Sequence, residues 1–310
     1  MPGSGLLHNF RVSSRYSVLS DAQWEFIAPL MPSSSGKAGR PFNDHRLTTE
    51  GIIYRYRAGI PWRDLTPHFG AWQSVWKRHR RYSLDGTWDQ VLAALLTRAD
   101  AAGLISWEVS IDSTVNRAHQ HGTNLPRHTG GPSNYKNLLD EPADHAIGKS
   151  RGGLTTKIHA LVDGNKRPLV LLLGPGQGGD APMFENLMEA LRVEREGPGR
   201  ARTRPDRAMA DKAYSSKGIR SYLRAHGIQC VIPEKEDQKA NRKRKGSVGG
   251  RPVAYDKEAY KRRNVVERSF NTLKQWRGLA TRYDKLAQTY RSAAVLQAVV
   301  IWTAALGDTP

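Results

Sequence analysis

The chain is poor in cysteine and in acid. Cys230 is the only cysteine among 310 residues. No disulfide framework and no cysteine-based zinc site can therefore form within it, and a reducing cytosol is its natural compartment. Asp and Glu number 29 against 48 Lys and Arg, a formal charge of +19. That excess favours a polyanionic partner, most simply nucleic acid. There is no run of about 18 apolar residues; Leu169 to Leu173 has the length of a strand. Nor is there a basic amphipathic anchor helix with a clean apolar face, so we expect no membrane contact. Residues 1–17 lack the apolar stretch of a secretory signal and read as a disordered leader. No internal repeat is evident.

What is present supports a folded protein. Apolar residues make up 38% of the chain, with eight Trp and eleven Tyr. That is below the globular average but enough for a core. Residues 18–103 read as all-helical. Ser20 caps a helix from Asp21, a basic Gly/Ser-rich arm covers 32–41, and a second helix runs from Asp44 to Ala58 before Gly59. A short helix after Pro61, a turn through Gly70 and a helix from Trp72 make a helix-turn-helix candidate. Lys77, Arg78, Arg80 and Arg81 lie on the second of these, as on a recognition helix, and Trp62 and Arg63 join them as candidate DNA contacts. The plainer alternative is a small bundle with a basic exterior. A further helix, Thr87 to Ala101, ends before Gly103.

From residue 104 the period changes. Strands are expected at 107–112, 154–162, 168–173, 207–211 and 228–232, with a tight hairpin at Asp163-Gly164-Asn165. Asp180 and Pro182 suit the start of a helix reaching Leu191. Helices are also expected at 216–226, 260–274 and 290–306. Two basic loops, 117–153 and 234–259, interrupt the pattern; residues 234–263 hold eleven Lys or Arg against five Asp or Glu. Residues 104–310 thus form an α/β unit with a mixed five-stranded sheet flanked by helices.

Two of these strands end on acid, Asp112 and Asp211, and a third carboxylate, Glu267, stands in the basic helix 260–274. Each has a modest reading: Asp at a strand end is commonly a turn-former or cap, and a charge run is usually a solvated face. Together they suggest more. Three carboxylates from separate elements in a basic surround supply hard oxygen ligands for two Mg²⁺ or Mn²⁺ ions. Two such ions clamp an in-line phosphoryl displacement, and the cations would hold a DNA backbone. His119 and His121 could be zinc ligands only with two more at suitable spacing. Gly148-Lys149-Ser150 lacks the upstream half of a phosphate loop and precedes a strand.

Four stretches carry a family resemblance. They are Gly59-Ile-Pro-Trp62-Arg63-Asp64-Leu65 with Phe69-Gly70-Ala-Trp72; Ile111-Asp112-Ser113-Thr114; Ala210-Asp211-Lys212-Ala213-Tyr214; and Tyr260-x2-Arg263-x3-Glu267-x6-Lys274. Over roughly residues 18–305 the chain resembles the DDE transposases of small bacterial insertion sequences, of the insertion-sequence-four/five type. The last motif is the most specific, with four residue types at fixed spacing. The resemblance implies an RNase H-like fold in which Asp112, Asp211 and Glu267 are the metal-binding catalytic triad, with Tyr260, Arg263 and Lys274 contacting DNA. It implies cleavage at the element's ends, then attack of the freed 3′-hydroxyl on target DNA. The partners would be terminal inverted repeats and target DNA, bound by a homodimer in the bacterial cytoplasm, at the nucleoid. Rival readings are a nuclease of the same fold without strand transfer, and a non-catalytic, domesticated DNA-binding protein.

Overall fold

The computed structural model describes residue 16 and residues 18–33, 44–125 and 141–307. The expected leader, Tyr16 apart, lies outside these residues, as does most of the arm at 32–41.

The N-terminal part is helical: α1 (Asp21–Ile27), α2 (His45–Ala58), α3 (Trp72–Leu84) and α4 (Thr87–Ala101). Local chemistry sets the boundaries. Ser20 and Gln23 exchange side-chain and backbone hydrogen bonds in a capping box at α1. The Asp44 side chain accepts the amides of Arg46 and Leu47 at the start of α2. Gly59, at φ +71°, ends that helix in the left-handed region. The short helix expected after Pro61 is instead two single 3₁₀ turns, Trp62–Asp64 and Pro67–Phe69. Pro67 has no amide to donate and disfavours helical backbone at Thr66, so the two turns cannot merge.

The remaining elements are β1 (Glu108–Ala118), β2 (Gly148–Ser150), β3 (Gly153–Val162), β4 (Pro168–Pro175), α5 (Met183–Glu189), β5 (Arg207–Ala210), α6 (Lys217–Ala225), β6 (Gln229–Val231), α7 (Glu236–Arg244), α8 (Lys257–Lys261), α9 (Asn264–Lys274), α10 (Arg277–Ala280), β7 (Thr281–Arg282) and α11 (Ala287–Gly307). The sheet runs β4-β3-β1-β5-β6, with β3 antiparallel to both neighbours and β1, β5 and β6 parallel. All five expected strands are in it. Two short strands make it seven: β2 on β3, and β7 on the far end of β1. At two or three residues, neither carries a readable period.

Three further expectations change. The strand expected to end at Asp112 continues to Ala118, because β3 pairs with β1 as far as Arg117↔Thr155 after pairing with β5 has stopped at Ile111↔Ala210. The basic loop at 234–259 contains α7, which buries no residue. That helix has Glu236 and Asp237 in its first turn and Arg242, Lys243 and Arg244 in its last, the charge order that complements a helix dipole. The single helix expected over 260–274 is broken: i→i+3 bonds at Arg263, Val265 and Val266 tighten the chain between α8 and α9.

One hydrophobic cluster runs from Leu19 to Trp302 and includes residues of the helical part and of the sheet. α11 joins them. It is long and apolar enough to cross a membrane by length and composition, and most of it is buried within the protein. Its Arg291 grips Asp89 of α4 at 2.7 and 3.1 Å and donates to the Leu171 carbonyl of β4. Trp302 donates to the Pro168 carbonyl at 2.7 Å. The amides at its start, Ala287 and Gln288, are accepted by the Glu141 carboxylate, an anion placed where the helix dipole favours one.

α10 lies against α2 at a close backbone approach. A Cβ on Gly278 would stand 3.1 Å from the Cα and carbonyl oxygen of Tyr56. Gly278→Val should therefore destabilise the protein by about 1–3 kcal/mol through overpacking, read as a lower denaturation midpoint. Nearby, burial pushes the His79 imidazole down to about 4, and its Nε2 lies 3.0 Å from the Tyr56 hydroxyl. Below about pH 6.5 the unfolded chain takes up a proton that the native site refuses, so stability falls as pH drops toward about 4. We expect His79→Gln to remove about 2–3 kcal/mol of that pH dependence, measured by urea unfolding across this range.

Candidate active site

The sheet brings two of the three expected carboxylates side by side. Ile111 of β1 pairs in parallel with Ala210 of β5, so Asp112 and Asp211 follow at the same level on neighbouring strands, whose backbones lie about 4.8 Å apart. Asp112 is mid-strand, and its Oδ1 accepts the Ser113 amide at 2.8 Å. Asp211 caps the 3₁₀ turn Lys212–Tyr214 and accepts the Ala213 amide at 2.8 Å. Burial pushes the Asp112 carboxyl up from its ordinary range, and the Asp211 charge adds to this, against the pull of the Ser113 amide and Arg263.

Glu267 reaches this pair through Arg263. It sits in the first turn of α9, which turns Val266, Phe270 and Leu273 into the core. Arg263 donates to Asp112 Oδ2 at 3.0 Å and to Glu267 Oε1 at 2.5 Å. Its side chain is only 16% exposed. Burial opposes its charge, but Asp112, Tyr260 and Glu267 outweigh that and raise its pKa. The guanidinium thus stands between two of the three carboxylates.

The other signature residues are spread around this centre. Tyr260 lies in α8, half-buried and edge-on to Tyr255 at 5.8 Å. Lys274 ends α9, donates to the Val115 carbonyl of β1 at 3.3 Å, and has its pKa lowered by burial. The N-terminal candidates lie on other elements. Lys77 and Arg81 are exposed on α3, with Arg81 3.8 Å from Asp85. Arg78 is half-buried with its guanidinium over the Tyr82 ring, and Arg63 lies over Trp72. Trp62 is half-buried against Tyr56 and His79. Arg80 and Trp62 share a cavity.

A fourth carboxylate was read from the sequence only as a helix cap. α5 begins two residues later than that reading requires, with Pro182 as its cap and no side-chain cap bond. The Asp180 side chain instead accepts Ser113 Oγ at 2.6 Å and Lys157 Nζ at 2.8 Å. Burial works against its charge, but these two donors win and hold its pKa low. Beside it Tyr214 is fully buried, and its hydroxyl has no hydrogen-bond partner among the described residues. Burial raises the Tyr214 pKa, and Asp180, Asp112 and Asp211 raise it further. The one local signal was that Asp112 is followed by Ser113; the partner of that hydroxyl is 67 residues away.

Among the described residues no three His, Cys, Asp or Glu side chains are grouped to hold one metal ion. The donor chemistry of Asp112, Asp211 and Glu267 nevertheless fits hard divalent cations, and Arg263 occupies the place between Asp112 and Glu267 where a cation is favoured. The His119 ring lies tilted against His121 at 4.8 Å and tilted against Tyr283 at 4.8 Å. Gly148–Ser150 is a strand, not a phosphate loop.

Comparison with known proteins gives two family matches. A model described as "Transposase DDE domain" covers residues 106–302, and one described as "Putative transposase of IS4/5 family" covers 19–92. An "Uncharacterized protein y4sN" of Sinorhizobium fredii is 38% identical over 36% of this chain and 86% of its own length. The "Insertion element IS402 uncharacterized 16.2 kDa protein" of Burkholderia cepacia is 30% identical over 35% of this chain and 78% of its own. The "Putative transposase for insertion sequence element IS6501" of Brucella ovis is 29% identical over 48% of this chain and 98% of its own. No solved structure gives a significant match.

Replacing Arg263 by Ala would leave Asp112 beside Asp211 without its cation. The metal-free protein should lose about 1–2 kcal/mol, less than a fully buried pair because Glu267 is half-exposed. Thermal melting checks this: Arg263→Ala should melt below the parent, and added Mn²⁺ should raise its midpoint more than the parent's.

Proposed function

The chain belongs to the DDE transposase family, and from that premise we propose that it binds the ends of an insertion sequence, cuts a phosphodiester there and joins the freed 3′ end to target DNA. Membership carries DNA transposition as the activity and DNA as the substrate, and proteins of this family normally use divalent metal ions. The observation that carries the finer reading is the placement of Asp112 on β1 level with Asp211, which directly follows the adjacent parallel strand β5, with Glu267 tied to Asp112 through Arg263. The strand order β4-β3-β1-β5-β6, with only β3 reversed, supports an RNase H-like fold for residues 104–310.

In this reading Asp112, Asp211 and Glu267 would hold the metal. When bound, the ions supply charge stabilisation at the attacking and leaving oxygens of an in-line displacement. The chain's own residues do the rest. Asp211 is oriented by the Ala213 amide, and Asp112 by the Ser113 amide and the β1–β5 register. Arg263 donates to Asp112 and Glu267, and its planar fork would suit a phosphate held beside them. Lys274 supplies a point charge on the same helix, and Tyr260 an aromatic face. The helical region, 18–103, recognises the inverted-repeat ends through Lys77, Arg78, Arg80 and Arg81 of α3 with Trp62 and Arg63, and two copies pair the two ends.

Asp112→Ala, Asp211→Ala and Glu267→Ala should each lower end cleavage by more than about a thousandfold and leave binding to the uncut end largely unchanged. A gel assay of cleavage, strand transfer and binding on one end duplex reads all three. Full cleavage by any of these variants would sink the assignment; cleavage without joining in the parent would favour a nuclease.

A further inference from the structure

A solvent-open cavity of about 440 Å³ lies where α3 meets the segment between β7 and α11. Its aromatic lining comes from Trp62, Trp76 and Tyr283, and Arg80 and Lys285 add positive charge. Arg55 and Asp284 form a buried ion pair there, 3.3 Å apart, so the acid is neutralised and the cavity is left net positive. Arg55 also lies over the Trp62 ring at 4.9 Å.

Three features have no structural explanation. Trp76 is 36% exposed, one of four large hydrophobic side chains left so exposed among the described residues. Its ring has no aromatic partner among them, and the Arg80 guanidinium has no hydrogen-bond or ion-pair partner among them. An indole and a guanidinium are thus held unpartnered in one concave site. The ligand chemistry this suits is a flat aromatic ring carrying an anion. The volume is that of a small-ligand site, and base stacking on aromatics with nearby cations is how unpaired nucleic acid is held without sequence reading.

We propose that this cavity takes one unpaired nucleotide of the bound DNA, its base against Trp62 and Trp76 and its phosphate at Arg80 and Lys285. The inference rests on the reading that the chain acts on DNA and gives that DNA a defined register. Tyr283 packs at a tilt against His119, one residue beyond β1. From Asp112 to that point β1 spans roughly 20–25 Å. That distance corresponds to about six or seven nucleotides along one duplex strand. With the duplex laid along β1, the unpaired nucleotide lies about that far from the bond to be cut.

The test uses the full-length protein with EDTA, so that no cutting occurs, and fluorescence anisotropy on three versions of the element's end duplex. One is fully paired. One has a single-nucleotide bulge about six or seven positions from the cleavage point, and one has that bulge abasic. The parent should bind the bulged duplex at least about fivefold tighter than the paired one, and the abasic bulge should lose the gain. Trp76→Ala, with a melting point close to the parent's, should lose the gain yet bind the paired duplex within about twofold of the parent. A gain that survives in Trp76→Ala or in the abasic duplex would overturn the proposal. So would tight binding of dAMP alone with no gain for bulged DNA. Normal binding of paired duplex with no gain would overturn the pocket alone; failure to bind any duplex would overturn the DNA reading with it.

Discussion

The candidate site depends on a guanidinium that neutralises carboxylates in a protein otherwise crowded with positive charge. Arg263 binds Asp112 and Glu267 at once, so it ties α9 to β1 and sets the approach of the helix to the sheet. Without a cation there, a half-buried Asp112 beside Asp211 would favour its neutral form. A second ion pair of similar logic engages the next residue of β1: Lys157 on β3 holds Asp180, and Asp180 accepts Ser113. The two pairs brace β1 at Asp112 and at Ser113.

The helical region and the sheet share one hydrophobic cluster, and α11 is the shared wall. It packs on α4 and β4 and is clamped to both by Arg291. The close backbone approach of Gly278 to Tyr56 and the buried Arg55–Asp284 pair close the seam on the other side. An end-binding surface on α3 would therefore be held at a set distance from the carboxylates, which is what a register between recognition and cutting requires. The cavity with Trp62 and Trp76 lies on that seam.

Much of this was legible along the chain. Alternation, apolar runs and turn chemistry placed the five expected strands, and caps such as Ser20, Asp44 and Gly59 placed the helix ends. Asp112, Asp211 and Glu267 stood out through their position in those elements and the Tyr260–Lys274 spacing. What escaped had either too little period or distant partners. β2, Gly-Lys-Ser, and β7, Thr-Arg, carry no apolar side chain to mark a strand, and α7 buries nothing. The break before α9 comes from i→i+3 bonds that side-chain spacing does not report. Asp180 looked like a cap because its true partners, Ser113 and Lys157, are 67 and 23 residues away.

The sequence by itself determined the elements, the positive charge and which acids stand where strands and helices meet. These follow from neighbours a few residues apart, where period, capping and composition act. Only the tertiary structure decided which charges meet. That Asp112 and Asp211 sit level depends on a parallel register between strands 99 residues apart. That Arg263 serves Asp112 as well as Glu267 depends on a contact across 151 residues. The local run of cations around Glu267 is the same in either case; packing of α9 onto β1 makes one of them the counter-ion of the candidate site and leaves the others on the surface.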